Sequence, residues 1–335
     1  MNKHYLSLLL AASAGLASIL TPNPARAAAT IYVSNAGNNT IEQFTEAGVG
    51  SVFASTGLSN PQGLAFDSAG NLYVANAGNN TIVKFTPGGV GSVFASTSPN
   101  GPYSLAFDGA GNLYAVIPGS APHTGTIEKF TPGGISSVFA SGLFISNAFP
   151  SGGLAFDSAG RLYVATGGAF TDQLILRFTP AGVSSVFAVP LFGASFLPGG
   201  MAFDSTGNLY AAMISFPPPT EARIAKYTPG GVFTGFSYSS LYRPVPPDFD
   251  TMSFLGGLAF DSAGHLYAAN PANNAIEKVT PGGVGSVFAD AADVLSRPSF
   301  VAIRNDNVPE PSALVLLGLG LPALLCTMRL RRREA

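Results

Sequence analysis

The sequence predicts an all-β fold: a six-bladed β-propeller of four-stranded blades, its ring closed by pairing of the N-terminal and C-terminal strands. Three observations carry this. The 335 residues include 40 Gly and 26 Pro, the two poorest helix formers, which excludes an ordinary helical protein. One unit of some 41 to 57 residues, typified by GLAFDSAGNLYVANAGNNTIVKFTPGGVGSVFAS over 63–96, recurs along the chain, and such a period marks a repeat architecture. The array is also offset at its ends. It starts in the middle of a unit at Ile31-Tyr32-Val33 and finishes with an isolated unit start, Ser299-Phe300-Val301-Ala302-Ile303.

Each unit divides into four strands. Leu64-Ala65-Phe66, Leu72-Tyr73-Val74-Ala75, Thr81-Ile82-Val83-Lys84-Phe85 and Ser92-Val93-Phe94-Ala95 are short, rich in β-branched and aromatic residues, and separated by Gly, Pro, Asn and Asp, the strand-and-turn signature. The Tyr recurs at Tyr32, Tyr73, Tyr114, Tyr163, Tyr210 and Tyr267, and the turn Asp at Asp67, Asp108, Asp157, Asp204 and Asp261. Apolar side chains alternate to both sides of each strand, as expected of blades sandwiched between neighbours. The last apolar segment supplies the strand that the first unit lacks, so 28–304 closes into six blades with no open edge at the ring junction.

Loop lengths separate two faces. Asp to Tyr is six residues in all five copies that have the Asp, and third-strand aromatic (or Val279) to fourth-strand Phe is nine in all six. Second-to-third links vary from 7 to 12 residues and fourth-to-first links from 10 to 21. In a meander both variable sets lie on one face. Insertions gathered there mark a binding face carried by blades three to five.

The two ends read as signals. Lys3 and His4, an apolar run from Leu6 to Leu20, and Ala25-Arg26-Ala27 make residues 1–27 a secretory signal, cut after Ala27 or Ala29, with an uncleaved anchor as the alternative. Signal peptidase is the implied partner. At the other end, over 305–335, Pro309-Glu310-Pro311 precedes an apolar run, 313–328, and then Arg329, Arg331, Arg332 and Arg333. Sixteen helical residues span about 24 Å, close to a hydrocarbon core once long arginines snorkel. The basic cluster places the tail on the cytoplasmic side. This tripartite end resembles the PEP-CTERM sorting signal, which implies exosortase as processing partner, export, and a transient inner-membrane anchor. A plain, uncut anchor is the other reading.

Formal net charge is -2, which argues against nucleic acid. The single cysteine, Cys326, lies in the tail, so the body has no thiol chemistry or disulfides. Between 28 and 308 there are 10 Lys+Arg against 16 Asp+Glu. The repeated Asp, followed by Gly in a fixed-length turn, reads as an Asx cap, and Asn35, Asn76 and Asn270 read as turn formers. His265 stands where other units have Asn or Arg and reads as an exposed turn residue. Candidate binding-face residues are His123, Asp172, Glu221, Tyr242, Arg243, Asp248 and Asp250. No cofactor motif is present. Asp248-Phe249-Asp250 offers two oxygens to calcium, which takes about six to eight.

The repeat resembles NHL-repeat propellers over nearly all of 31–303, and more distantly the calcium-dependent gluconolactonase-like propellers and the streptogramin lyase. In the lactonase-like enzymes acidic and Asn side chains at the channel mouth hold the metal. Here the innermost strands begin at Gln62-Gly63, Tyr103-Ser104, Gly152-Gly153, Gly199-Gly200, Gly256-Gly257 and Ser299-Phe300, none of them acidic. The expectation is a non-catalytic, exported binding or structural scaffold of the cell envelope or matrix. Its expected partner classes are exopolysaccharide and envelope proteins. The alternatives are a metal-dependent hydrolase or lyase on the variable face, and a polysaccharide-binding module using the loop Tyr238–Tyr242.

Overall fold

Short apolar strands joined by Gly-rich turns have no way to bury both faces except against copies of themselves. The computed structural model, which describes residues 28–97, 100–121, 123–145, 152–167, 173–189, 196–215, 222–238 and 255–306, shows how they do so. Six four-stranded antiparallel sheets form, each in simple meander order. Blade 2 runs Pro61–Phe66, Leu72–Asn76, Thr81–Phe85 and Gly91–Ser96. Blades 3 to 6 repeat this from inner strands Leu105–Phe107, Leu154–Phe156, Phe196–Phe203 and Leu258–Phe260.

The ring closes as the offset requires. Pro298–Asp306 pairs with Ala28–Asn35, which continues through Thr40–Thr45 to Gly50–Ala54 as blade 1. Ser34 Oγ accepts from the Phe300 amide at 3.0 Å, and Gly37 donates to the Ser296 carbonyl at 3.0 Å. Ala29–Asn305 form one compact unit.

The repeated Tyr is the joint between blades. Tyr73 meets Phe94 of its own outer strand at 4.9 Å and Phe107 of the next inner strand at 5.0 Å, both edge to face. The same triad forms at Tyr32–Phe53–Phe66, Tyr114–Phe139–Phe156 and Tyr163–Phe187–Phe203. Such pairs add about 0.5–1.5 kcal/mol each beyond area burial. Second strands are buried on both sides, as in Leu72–Asn76 and Leu113–Ile117.

Two features differ from the sequence pattern. Each third-to-fourth strand pair carries a register shift after the third-strand Ile, for example between Ile82 and Val83, a bulge that bends the outer strand. The Asn-rich turns wind into short 3₁₀ segments at Ala77–Asn79 and Pro271–Asn273, closed by left-handed Asn80 (φ 54°) and Asn274 (φ 49°). Asn takes that conformation at little cost, which explains the residue choice.

Candidate functional site

A propeller offers two places for chemistry, the axial channel and the loop face around its mouth. The channel here is a cavity of about 370 Å³ lined from all six inner strands. One aliphatic side chain per blade occupies the equivalent position: Leu64, Leu105, Leu154, Met201, Leu258 and Val301, all buried.

The mouth is a collar of backbone. Gly63 donates to the Tyr103 carbonyl at 2.8 Å, Leu154 donates to Ser104 Oγ at 3.1 Å, and Gly257 donates to the Ser299 carbonyl at 2.9 Å. A Cβ on Gly153 would strike the Gly199 carbonyl, one on Gly200 the Gly256 carbonyl, and one on Gly256 the Ser299 carbonyl. The glycines are there because neighbouring inner strands touch main chain to main chain. Tyr103 and Phe300 meet edge to face at 5.4 Å, although blade 2 lies between their blades. Burial pushes the Tyr103 phenol well above its ordinary range.

This collar does not fit a calcium ion of the lactonase-like kind. Its side-chain oxygens are few, and the Ser104 hydroxyl is engaged by Leu154. Among the described residues, no three His, Cys, Asp or Glu side chains cluster in a way that holds a metal.

The repeated Asp is a turn cap. Asp67 Oδ1 accepts from the Ala69 and Asn71 amides at 3.0 and 2.8 Å, and Oδ2 accepts from Asn71 Nδ2 at 2.8 Å. Burial works against its charge, yet the bonds from Asn71 and Ala69, with Lys84 3.7 Å away, hold the carboxyl below its ordinary value. The other four copies repeat this, with Arg161 and His265 taking the place of Asn at 2.6 and 2.8 Å. The sequence expectation for His265 is thereby corrected: its ring is half-buried against Asp261 rather than free at the surface. Blade 1 lacks the Asp. Arg304 stands there instead, its guanidinium 5.3 Å from the Tyr32 ring centre, where other blades place a third-strand Lys such as Lys84, 5.2 Å from Tyr73.

On the variable face, Asn76 Oδ1 accepts from Ser59 at 2.6 Å and its Nδ2 donates to the Gly57 carbonyl at 3.1 Å. Asn35 holds Ser296 and Val294 in the same way. These turn formers therefore fix the fourth-to-first loops. His123 is exposed in a left-handed turn (φ 57°), with Phe144 edge-on at 5.0 Å. Asp172, Glu221, Tyr242, Arg243, Asp248 and Asp250 lie outside the described residues, as do Pro309, Glu310, Pro311 and the tail arginines.

Two groups that composition does not reveal are Glu42 and Glu277, each 1% exposed in a third strand with one unpaired carboxylate oxygen. Burial raises both, Glu277 to about 7, against a weaker pull from Asn270 Nδ2 at 3.3 Å. Equivalent positions hold Val83, Leu176 and Ala225, and in blade 3 the half-buried Glu128, whose carboxyl burial also raises, so nothing in strand spacing separates a fully buried Glu from a partly exposed one.

Comparison with known proteins agrees with this geometry. Residues 58–85 match the NHL repeat and residues 307–333 the PEP-CTERM protein-sorting motif. No curated protein matches the chain. Among solved structures, one from a nidogen/laminin complex superposes with a TM-score of 0.63 at 16% identity, covering 82% of this chain and 98% of that one. The virginiamycin B lyase of Staphylococcus aureus gives 0.55 at 17%, over 83% and 89%. A gluconolactonase of Xanthomonas campestris gives 0.56 at 16%, over 74% and 84%. At such identities the likeness is one of fold. The chain is a six-bladed β-propeller carrying an NHL repeat and ending in a PEP-CTERM sorting motif, which marks it as an exported exosortase substrate.

Proposed function

We propose that the exported propeller is a non-catalytic binding scaffold of the cell envelope or extracellular matrix, using the variable face to hold an exopolysaccharide or envelope protein. The glycine collar carries this reading. The mouth, where the lactonase-like enzymes place metal-holding side chains, is here spent on strand-to-strand packing. The likeness to a nidogen/laminin complex, an assembly of binding proteins by its name, is consistent with it. A polysaccharide ligand would use the aromatic and polar loop Tyr238–Tyr242. The test is retention of the purified protein on exopolysaccharide, lost when that loop is shortened.

A second reading, a metal-dependent hydrolase or lyase on the variable face, is favoured by the fold shared with the lyase and the gluconolactonase. Calcium-dependent turnover of lactone or ester substrates would establish it and overturn the first. The intact mass of protein recovered from its native surface reports cleavage by signal peptidase and exosortase together.

A further inference from the structure

The face opposite the variable loops is built almost without variation. In all six blades the turn between third and fourth strands begins at a Thr whose amide donates to the carbonyl of the residue four on, while that residue's amide donates to the Thr Oγ1 at 3.1–3.2 Å. The residue so held is always aliphatic: Val49, Val90, Ile135, Val183, Val232 and Val284, each 64–73% exposed. Six large aliphatic side chains at equivalent positions, one per blade, form an apolar ring that the fold leaves uncovered.

Both chain ends leave on this same face. The Ala29 amide donates to Glu46 of a fixed turn at 3.0 Å. Arg304, two residues before the closing strand ends, lies against the Tyr32 and Phe66 rings beside the Asp67 turn. The sorting tail therefore starts from the fixed face. Six residues, 307–312, separate it from the apolar run, a leash of at most about 20 Å.

Charge is distributed to match. The third-strand cations Lys84, Lys129, Arg177, Lys226 and Lys278, with Arg161 and Arg304, offset the five turn aspartates and Glu46 and leave this face close to neutral. The acidic excess of the body falls on the variable-face links and between blades. The neutral face is the one that approaches an anionic membrane without repulsion.

We propose that the fixed face is a bilayer-docking surface: while the tail is uncut, the six-point aliphatic ring rests on the phospholipid surface and the variable loops point away from it. The tether supplies the high local concentration that a shallow apolar contact needs. This rests on the exported, tail-anchored reading, and the test separates the two.

The full chain is reconstituted in phosphatidylethanolamine/phosphatidylglycerol vesicles containing nitroxide-labelled lipid. Its sole cysteine, Cys326, is labelled with a fluorophore to report tail insertion. In a Cys326→Ala background, Val90→Cys, Ile135→Cys and, on the variable face, Ser55→Cys are labelled one at a time. Docking requires Cys326 quenched, Val90→Cys and Ile135→Cys quenched at least threefold more than Ser55→Cys, and loss of at least half of the Val90→Cys signal when Ile135, Val183 and Val232 become Ser. A quenched Cys326 with rim and variable-face labels quenched alike overturns the docking and leaves the tail reading standing. An unquenched Cys326 overturns both.

Discussion

Individual residues in this propeller act mainly through what they let the neighbouring blade do. The Asp caps, the Asn joints and the collar glycines all spend their chemistry on the backbone. Glu42 and Glu277 are the exceptions, since each fully buries a carboxyl where blades 2, 4 and 5 have Val83, Leu176 and Ala225 and blade 3 has the half-buried Glu128. For Glu277, with a folded pKa of about 7 against about 4.5 unfolded, the native state holds a proton that the unfolded chain has lost. Stability from this site is full below about pH 4.5 and falls as pH rises through 7. The loss is about 3 kcal/mol, at about 1.4 kcal/mol per pH unit of displacement. Glu277→Gln is expected to raise the melting temperature at pH 8 and to flatten its decline between pH 5 and pH 8. An unchanged slope in thermal melts would contradict the assignment.

At the scale of single elements, the inner strands depend on the collar. Gly200→Ala puts a Cβ into the Gly256 carbonyl, and both atoms belong to main chain that has no room to retreat. A cost of about 3 kcal/mol or more is expected in urea denaturation, at the upper end of single substitutions. Gly109→Ala, in a fixed turn with nothing within 4 Å of the new Cβ, is the matched control. It is expected to be neutral or slightly stabilising, because Ala narrows the unfolded ensemble. These strands were legible as strands from Leu-Ala-Phe flanked by Gly and Asp. The reason for the glycines was not, because it lies in contact with a blade some 50 residues away.

For the molecule as a whole, closure decides cooperativity. A chain ending at Ser296 lacks the closing strand, loses the Phe300–Ser34 bonds, and leaves blade 1 without its inner strand and the axial cavity open to one side. Such a chain is expected to lose its single sharp thermal transition, followed by circular dichroism, and to associate through its exposed edges. A retained sharp transition would show that five and three-quarter blades suffice.

Period, turn chemistry and the offset of the two chain ends determined the number of blades, the strands within them and the pairing of the last strand, at Phe300–Ile303, with the first, at Ile31–Val33, because these follow from local spacing and from the need to pair free edges. Local pattern also revealed the sorting tail, whose order of Pro-Glu-Pro, apolar run and arginines is read in one dimension. Only the tertiary structure decided which glycines are packing sites, which glutamates are buried, and that six scattered aliphatics share the face from which both chain ends leave. Those facts depend on distances between blades, and a repeat that writes Glu, Val and Leu at one strand position does not say which neighbour each will meet.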